Sequence, residues 1–158
     1  MRTRIVSGGQ TGADRGGLDA AIALGLPHGG WCPRGRRAED GKIPGRYKLR
    51  ETGSAEYPER TELNMKESDG TVLFSRGPLE GGSAFTANLA RKHQKPLLHI
   101  DLGKVGALEA EQILLSWLSE NEVAVLNVAG SRENKAPGIQ RLVMEIVAHA
   151  MRRRHEGS

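Results

Sequence analysis

Four separated segments join glycine to hydroxyl, amide or guanidinium side chains: residues 7–20 (SGGQTGADRGGLDA), 31–37 (WCPRGRR), 75–83 (SRGPLEGGS) and 129–138 (AGSRENKAPG). The first follows Arg4-Ile5-Val6, a short strand-like run, and opens into a helical pattern. A strand that ends in glycines and becomes a helix leaves backbone N–H groups uncovered at the positive end of the helix dipole, where an anion is held. The chemistry expected of these residues is reversible binding of an anionic small molecule.

In the first segment Gly8, Gly9 and Gly12 offer backbone donors, Ser7 and Thr11 hydroxyls, and Gln10 an amide. Asp14 has several readings: it orients a ligand hydroxyl or amine, reaches a hydrated Mg²⁺, stabilises the helix N-terminus, or pairs with Arg15. In the second, Trp31 is suited to stacking on a heteroaromatic ring and Arg34 to meeting an anion, while Cys32 reads as a small buried hydrophobe. In the third, Ser75 closes a strand, Gly81-Gly82 let the backbone approach a ligand, and Ser83 caps the next helix or binds an oxyanion. In the fourth, Gly130, Ser131 and Arg132 precede a helix; Arg132 either grips an oxyanion or pairs internally with Glu133 or Glu80. The glycine spacing spells neither the dinucleotide fingerprint nor the P-loop lysine motif. No Ser-His-Asp or Cys-His arrangement and no metal-ligand spacing is present, so no catalytic residue and no metal ligand is assigned. His99, inside a strand pattern, reads as packed.

The elements that must position these segments alternate. Strands are expected at 4–7, 30–32, 71–75, 96–102 and 123–128, and helices are marked by Leu18/Ala21/Ile22, Phe85/Leu89/Lys92, Leu108/Leu114/Leu115/Leu118 and the repeat from Ile139 to Ala150. Near-continuous apolar runs such as Val72-Leu73-Phe74 suit a parallel sheet covered on both faces. The expected fold is α/β: a Rossmann-like, open, mostly parallel sheet of about five strands with helices on both faces, in a single domain over residues 1–158. Ligands of such sheets bind outside the carboxyl ends of the strands, which is where all four segments fall. Residues 34–64, rich in charge, glycine and proline, are expected to form an irregular loop over those strand ends, and residues 152–158 a basic tail.

With 158 residues the chain can close a full core, which 37% apolar and 4% aromatic residues make mostly aliphatic. The net charge is +4, concentrated at 34–37 and 152–154. The second cluster suits a solvated helix end more than a nucleic-acid arm. A single cysteine and the lack of a signal-peptide pattern fit a reducing cytoplasm. No run approaches a membrane span.

Taken together, SGGQTGADRGGLDAA, WCPRGRRAEDG, TVLFSRGPLEGGSAFT and AGSRENKAPGI resemble the molybdenum carrier proteins of the circularly permuted YpsA-like branch of the SLOG superfamily. The resemblance runs through nearly the whole chain in order. It implies a Rossmann-like fold, a homo-oligomer (dimer or tetramer), and binding of molybdenum cofactor as cargo, or of a nucleotide. It also implies ligand contacts at Gly8, Gly9, Thr11, Gly12, Gly81, Gly82, Ser83, Ser131 and Arg132, with Arg34 beside them. Related enzymes of the superfamily are nucleoside monophosphate phosphoribohydrolases with a PGGxGTxxE loop. Here Ser83-Ala84-Phe85 follow Gly81-Gly82 and Asn88 stands at the acid's place, which favours a carrier. A nucleotide-binding sensor, or an N-glycosidase using Asp14 or Glu80, remains the alternative.

Overall fold

A computed structural model describes residues 2–156. The chain runs through β1 (Arg4–Val6), α1 (Ala13–Leu24), β2 (His28–Gly29), β3 (Trp31–Cys32), a 3-10 turn (Arg34–Arg36), β4 (Arg37–Ala38), β5 (Gly41–Lys42) and β6 (Arg50–Glu51). It continues through α2 (Tyr57–Glu67), β7 (Gly70–Ser75), α3 (Gly81–Lys92), β8 (Leu97–Asp101), α4 (Ala107–Glu120), β9 (Val125–Gly130) and α5 (Ile139–Glu156).

Five strands form one parallel sheet in the order β2-β1-β9-β7-β8. The apolar runs explain the centre: every residue of β7 is buried, as a strand covered on both faces requires. α1 packs on α5 and α5 on α4, while α2 packs on α3. The main core joins Ile5, Val72, Phe74, Leu126 and Val128 of the strands to Ile139, Val143, Ile146 and Val147 of α5. The fold is therefore the Rossmann-like α/β architecture the alternating pattern predicts.

Gly16 and Gly17 serve this packing. A Cβ at Gly16 would come within 2.6 Å of the Gln140 carbonyl oxygen, and one at Gly17 within 2.6 Å of Val128 Cβ. The pair lets α1 lie close to α5 and β9, so these two glycines belong to the core and not to a ligand loop.

Two expectations are corrected. The second strand of the main sheet is His28–Gly29, not the run at 30–32; Trp31–Cys32 instead pairs with β6 in a separate two-stranded sheet. Residues 34–64 are not an irregular loop. They hold the 3-10 turn, the antiparallel β4–β5 pair, β6 and the first turns of α2. A small cluster of Leu18, Cys32, Ala38, Ile43 and Tyr47 anchors this segment onto α1. Tyr47 Oη donates to Asp19 Oδ1 at 2.6 Å, and Arg15 forks onto Asp40 at 2.7 and 2.9 Å. The basic tail is the last turn of α5, where Arg153 pairs with the buried Glu111 at 3.2 Å; residues 157 and 158 lie outside the described residues. Among the described residues no helix is long and apolar enough to cross a membrane.

Candidate functional site

A cavity of ≈ 650 Å³ opens at the carboxyl ends of β1, β9 and β7. Its floor is Gly8 after β1 with Asn127, Ala129 and Gly130 of β9; its walls are the first turns of α2 and α3; its rim carries Arg76, Ser131, Arg132 and Lys135. This is the crevice where an open parallel sheet binds ligands.

Of the residues singled out from the sequence, Gly8, Gln10, Asp14, Gly81, Gly82, Ser83, Gly130, Ser131 and Arg132 line this cavity. Gly9, Thr11, Gly12, Arg34 and Ser75 do not. Gly9 lies beneath the loop, where a Cβ would press on Leu49 and Ile43. Thr11 Oγ1 accepts from the Glu133 amide at 3.2 Å. Gly12 (φ 83°) packs so tightly on the 131–133 backbone that a Cβ would overlap the Ser131 carbonyl oxygen, and Ala13 N donates to that oxygen at 3.0 Å. The N-terminus of α1 is thus closed by the last loop. Of the amides expected to form a cradle there, those of Gly9, Gln10 and Ala13 bond within the protein, while those of Gly8, Thr11 and Gly12 make no hydrogen bond among the described residues. Arg34 is exposed on the 3-10 turn, away from the cavity. Ser75 Oγ donates to the Gly77 carbonyl at 2.7 Å and also meets His99 Nε2 at 2.7 Å, bracing the loop from behind. His99 is exposed on β8, not packed.

Trp31 does not reach the cavity either. Arg50 stacks over its ring at 4.1 Å and its Nε1 donates to Glu67 at 3.0 Å. Cys32 is fully buried, and burial pushes its thiol up from the ordinary range, as a structural cysteine requires.

Open backbone donors also stand at the start of α3. The amides of Gly81 and Gly82 make no hydrogen bond among the described residues, and the preceding Glu80 gives no side-chain cap. Ser83 and the cations Arg76 and Lys135 line the same end of the cavity. Neither cation forms an ion pair among the described residues; Arg76 Nη1 only donates to the Pro137 carbonyl at 2.5 Å.

The β1 end is different. Asp14 Oδ2 accepts from the Gln10 amide at 3.2 Å and from Arg60 Nη1 at 3.2 Å. Burial raises the Asp14 pKa above its usual value, and the Arg60 charge, the Gln10 amide and Arg132 offset this only in part. Tyr57 stands between three guanidinium groups, with Arg37 at 5.0 Å, Arg60 at 5.2 Å and Arg132 at 5.0 Å from its ring centre. Each is balanced by a carboxylate: Arg37 by Glu56 at 3.6 Å, Arg60 by Asp14, and Arg132 by Glu39 at 3.9 Å. Arg132 therefore has a partner other than Glu133 or Glu80, and Asp14 one other than Arg15.

Sequence reasoning missed the α2 contribution: Tyr57, Pro58, Arg60, Thr61 and Asn64 all line the cavity. One signal was present. Pro58 sits in the first turn of the helix, a placement that favours helix starts.

The family model described as Circularly permutated YpsA SLOG family matches residues 5–151. A solved structure of "Putative molybdenum carrier protein" from Syntrophus aciditrophicus SB is 46% identical, covering 93% of this chain and 94% of that one, with a TM-score of 0.90. No curated protein matches the chain.

Proposed function

The chain belongs to the circularly permutated YpsA SLOG family, and from that premise we propose that it is a reversible carrier of molybdenum cofactor. The observation that carries the reading is the α3 end of the cavity: two free amides, a serine and two cations outside any ion pair among the described residues, with one carboxylate, Glu80, beside them, around an opening of ≈ 650 Å³. That set suits a phosphate, since oriented amides and cations add without the cost of separating existing ion pairs. Molybdenum cofactor is a flat pterin with a terminal phosphate and an oxo-metal dithiolene. Its phosphate lies at the α3 end and its ring system runs toward β1. The buried Cys32 is not among the cavity residues, so the cargo is held without a thiolate bond from the protein and stays releasable.

Anaerobic equilibrium dialysis with molybdenum cofactor tests this. The reading expects about one equivalent bound per chain, protection from oxidation, and marked weakening by the double change Arg76→Ala and Lys135→Ala. No retention of cofactor above a protein blank contradicts it. Self-association as a dimer or tetramer belongs to the same proposal and is read by sedimentation equilibrium.

One observation favours a second reading, a nucleoside monophosphate N-glycosidase: the Asp14 carboxyl lines the cavity with a raised pKa, as a general acid or base needs. Release of free base, abolished in Asp14→Asn, supports that reading; intact mononucleotide after prolonged incubation removes it.

A further inference from the structure

The cavity's two ends differ in charge balance and in what they leave unpaired. At the α3 end the open groups are the amides of Gly81 and Gly82 and the Arg76 and Lys135 cations, with the Glu80 carboxylate as the one charged acceptor beside them. At the floor, beside the Gly8 amide, unbonded among the described residues, two side-chain oxygens are open acceptors. Asp14 Oδ2 takes two hydrogen bonds while Oδ1 takes none among the described residues, yet Oδ1 is not an enclosed atom. Asn127 repeats the pattern. Its Nδ2 donates to Thr71 Oγ1 at 3.1 Å, and its Oδ1 is left without a partner and unenclosed. Both residues are almost fully buried and both line the cavity, so the space these oxygens face is the cavity itself. An acceptor on a nearly buried side chain that opens only to the cavity is satisfied when a bound ligand donates to it.

The sheet order fixes the span. β1, which leads to Asp14, and β7, which leads to Arg76 and α3, are separated by β9. Two strand spacings are about 10 Å. Arg60 and Arg132 stand at the Asp14 end and act electrostatically on its carboxyl. Tyr57 and Phe85 supply apolar surface to the cavity wall.

Resting on the carrier reading above, we infer that Asp14 and Asn127 set ligand specificity by accepting N–H groups from the ring edge of a phosphorylated heterocycle whose phosphate sits at α3. The chemical class is a ring with an exocyclic amine beside a ring N–H, the edge shared by pterins and guanine. Adenine presents a ring-nitrogen acceptor beside its amine and would set it against the carboxylate. Hypoxanthine keeps the ring N–H but lacks the amine.

The test uses the full chain and two probes that differ by one amino group, guanosine monophosphate and inosine monophosphate, titrated by calorimetry with inorganic phosphate as competitor. The guanine probe is expected to bind at least tenfold more tightly. In Asp14→Asn that preference falls to near unity, while phosphate competes as in the parent protein. Equal affinity of the two probes for the parent protein overturns this inference and leaves the carrier reading standing. A preference that survives Asp14→Asn removes Asp14 from the assignment. Failure of both probes and of phosphate to bind overturns the anion-site reading itself. The comparison on the parent protein decides the matter even if the variant does not fold.

Discussion

Arg60 Nη1 stands 3.2 Å from Asp14 Oδ2, tying the first turns of α2 to the first turn of α1 directly under the cavity. Both side chains are close to buried, at 11% and 7% exposure, so the pair is poorly screened and each charge depends on the other. The backbone of Gly8 makes room for it: a Cβ there would fall inside the Arg60 guanidinium. Arg60→Ala is expected to raise the already elevated Asp14 pKa further, because the Arg60 charge is the largest influence holding it down. Carboxyl ¹³C NMR titration reads this directly. An Asp14 pKa that stays put or falls in the variant contradicts the pairing.

Gly8→Ala tests the same relationship from the other side. The colliding atoms are the far end of a flexible side chain, so the clash itself is relieved by a shift, but that shift disturbs the buried pair with Asp14, and a loss of about 1–3 kcal/mol is expected. The displaced guanidinium should also intrude on the cavity and weaken the ligand. Chemical denaturation and ligand titration on one sample separate the two effects; a large loss of stability with unchanged affinity runs against the account.

The pH dependence of stability should carry two contributions of opposite sign. Arg15 hydrogen-bonds to Asp40 and lowers its pKa from 3.8, so this pair stabilises the fold above that value and the benefit is lost as pH falls through the folded-state pKa. Asp40 is half exposed, which limits the pair to about 1 kcal/mol or less at neutral pH. Asp40→Asn should therefore be less stable than the parent at pH 7, with the gap closing below about pH 4. Asp14 behaves oppositely. Its folded pKa is raised from 3.8, so ionising it costs stability as pH rises, and Asp14→Asn should gain on the parent with rising pH. Urea midpoints at pH 4 and pH 7 for the two variants check both signs.

At the ligand, Arg76→Ala should cost about 1.5–3 kcal/mol of binding to a phosphorylated probe, the worth of a charge-assisted hydrogen bond. Arg132→Ala should cost less, because Glu39 and the Tyr57 ring already engage that guanidinium. The reverse ranking in calorimetry would move the anion from α3 to the Tyr57 end.

Gly17→Ala weighs helix propensity against packing. Alanine gains about 1 kcal/mol over glycine inside a helix, but the new methyl would meet the buried Val128 side chain at 2.6 Å. Overpacking of that kind costs about 1–3 kcal/mol, so net destabilisation is expected. A more stable variant by thermal unfolding would show that α1 has slack against β9.

The sequence showed the sheet well because its strands are short, apolar and followed by glycine loops. Val72-Leu73-Phe74 and the Ile139–Ala150 repeat leave little choice of partner. It showed less of the site for two physical reasons. Glycine is ambiguous: Gly12, Gly16 and Gly17 look like ligand-loop residues but serve close backbone packing, which no local pattern distinguishes. α2 is polar around most of its circumference, with only Asn64 and Met65 buried, so its periodicity is faint, and Arg60 reaches Asp14 only through tertiary folding. Trp31 and Arg34 illustrate the converse, since residues with suitable chemistry were turned aside by β3 pairing with β6 and by the 3-10 turn.

The most direct measurement is a crystal structure of the protein grown with a phosphorylated pterin or guanine mononucleotide. The phosphate is predicted against the Gly81 and Gly82 amides between Arg76 and Lys135, with the ring directed toward Asp14 and Asn127. A phosphate bound elsewhere, with that end of the cavity holding only solvent, would contradict the account.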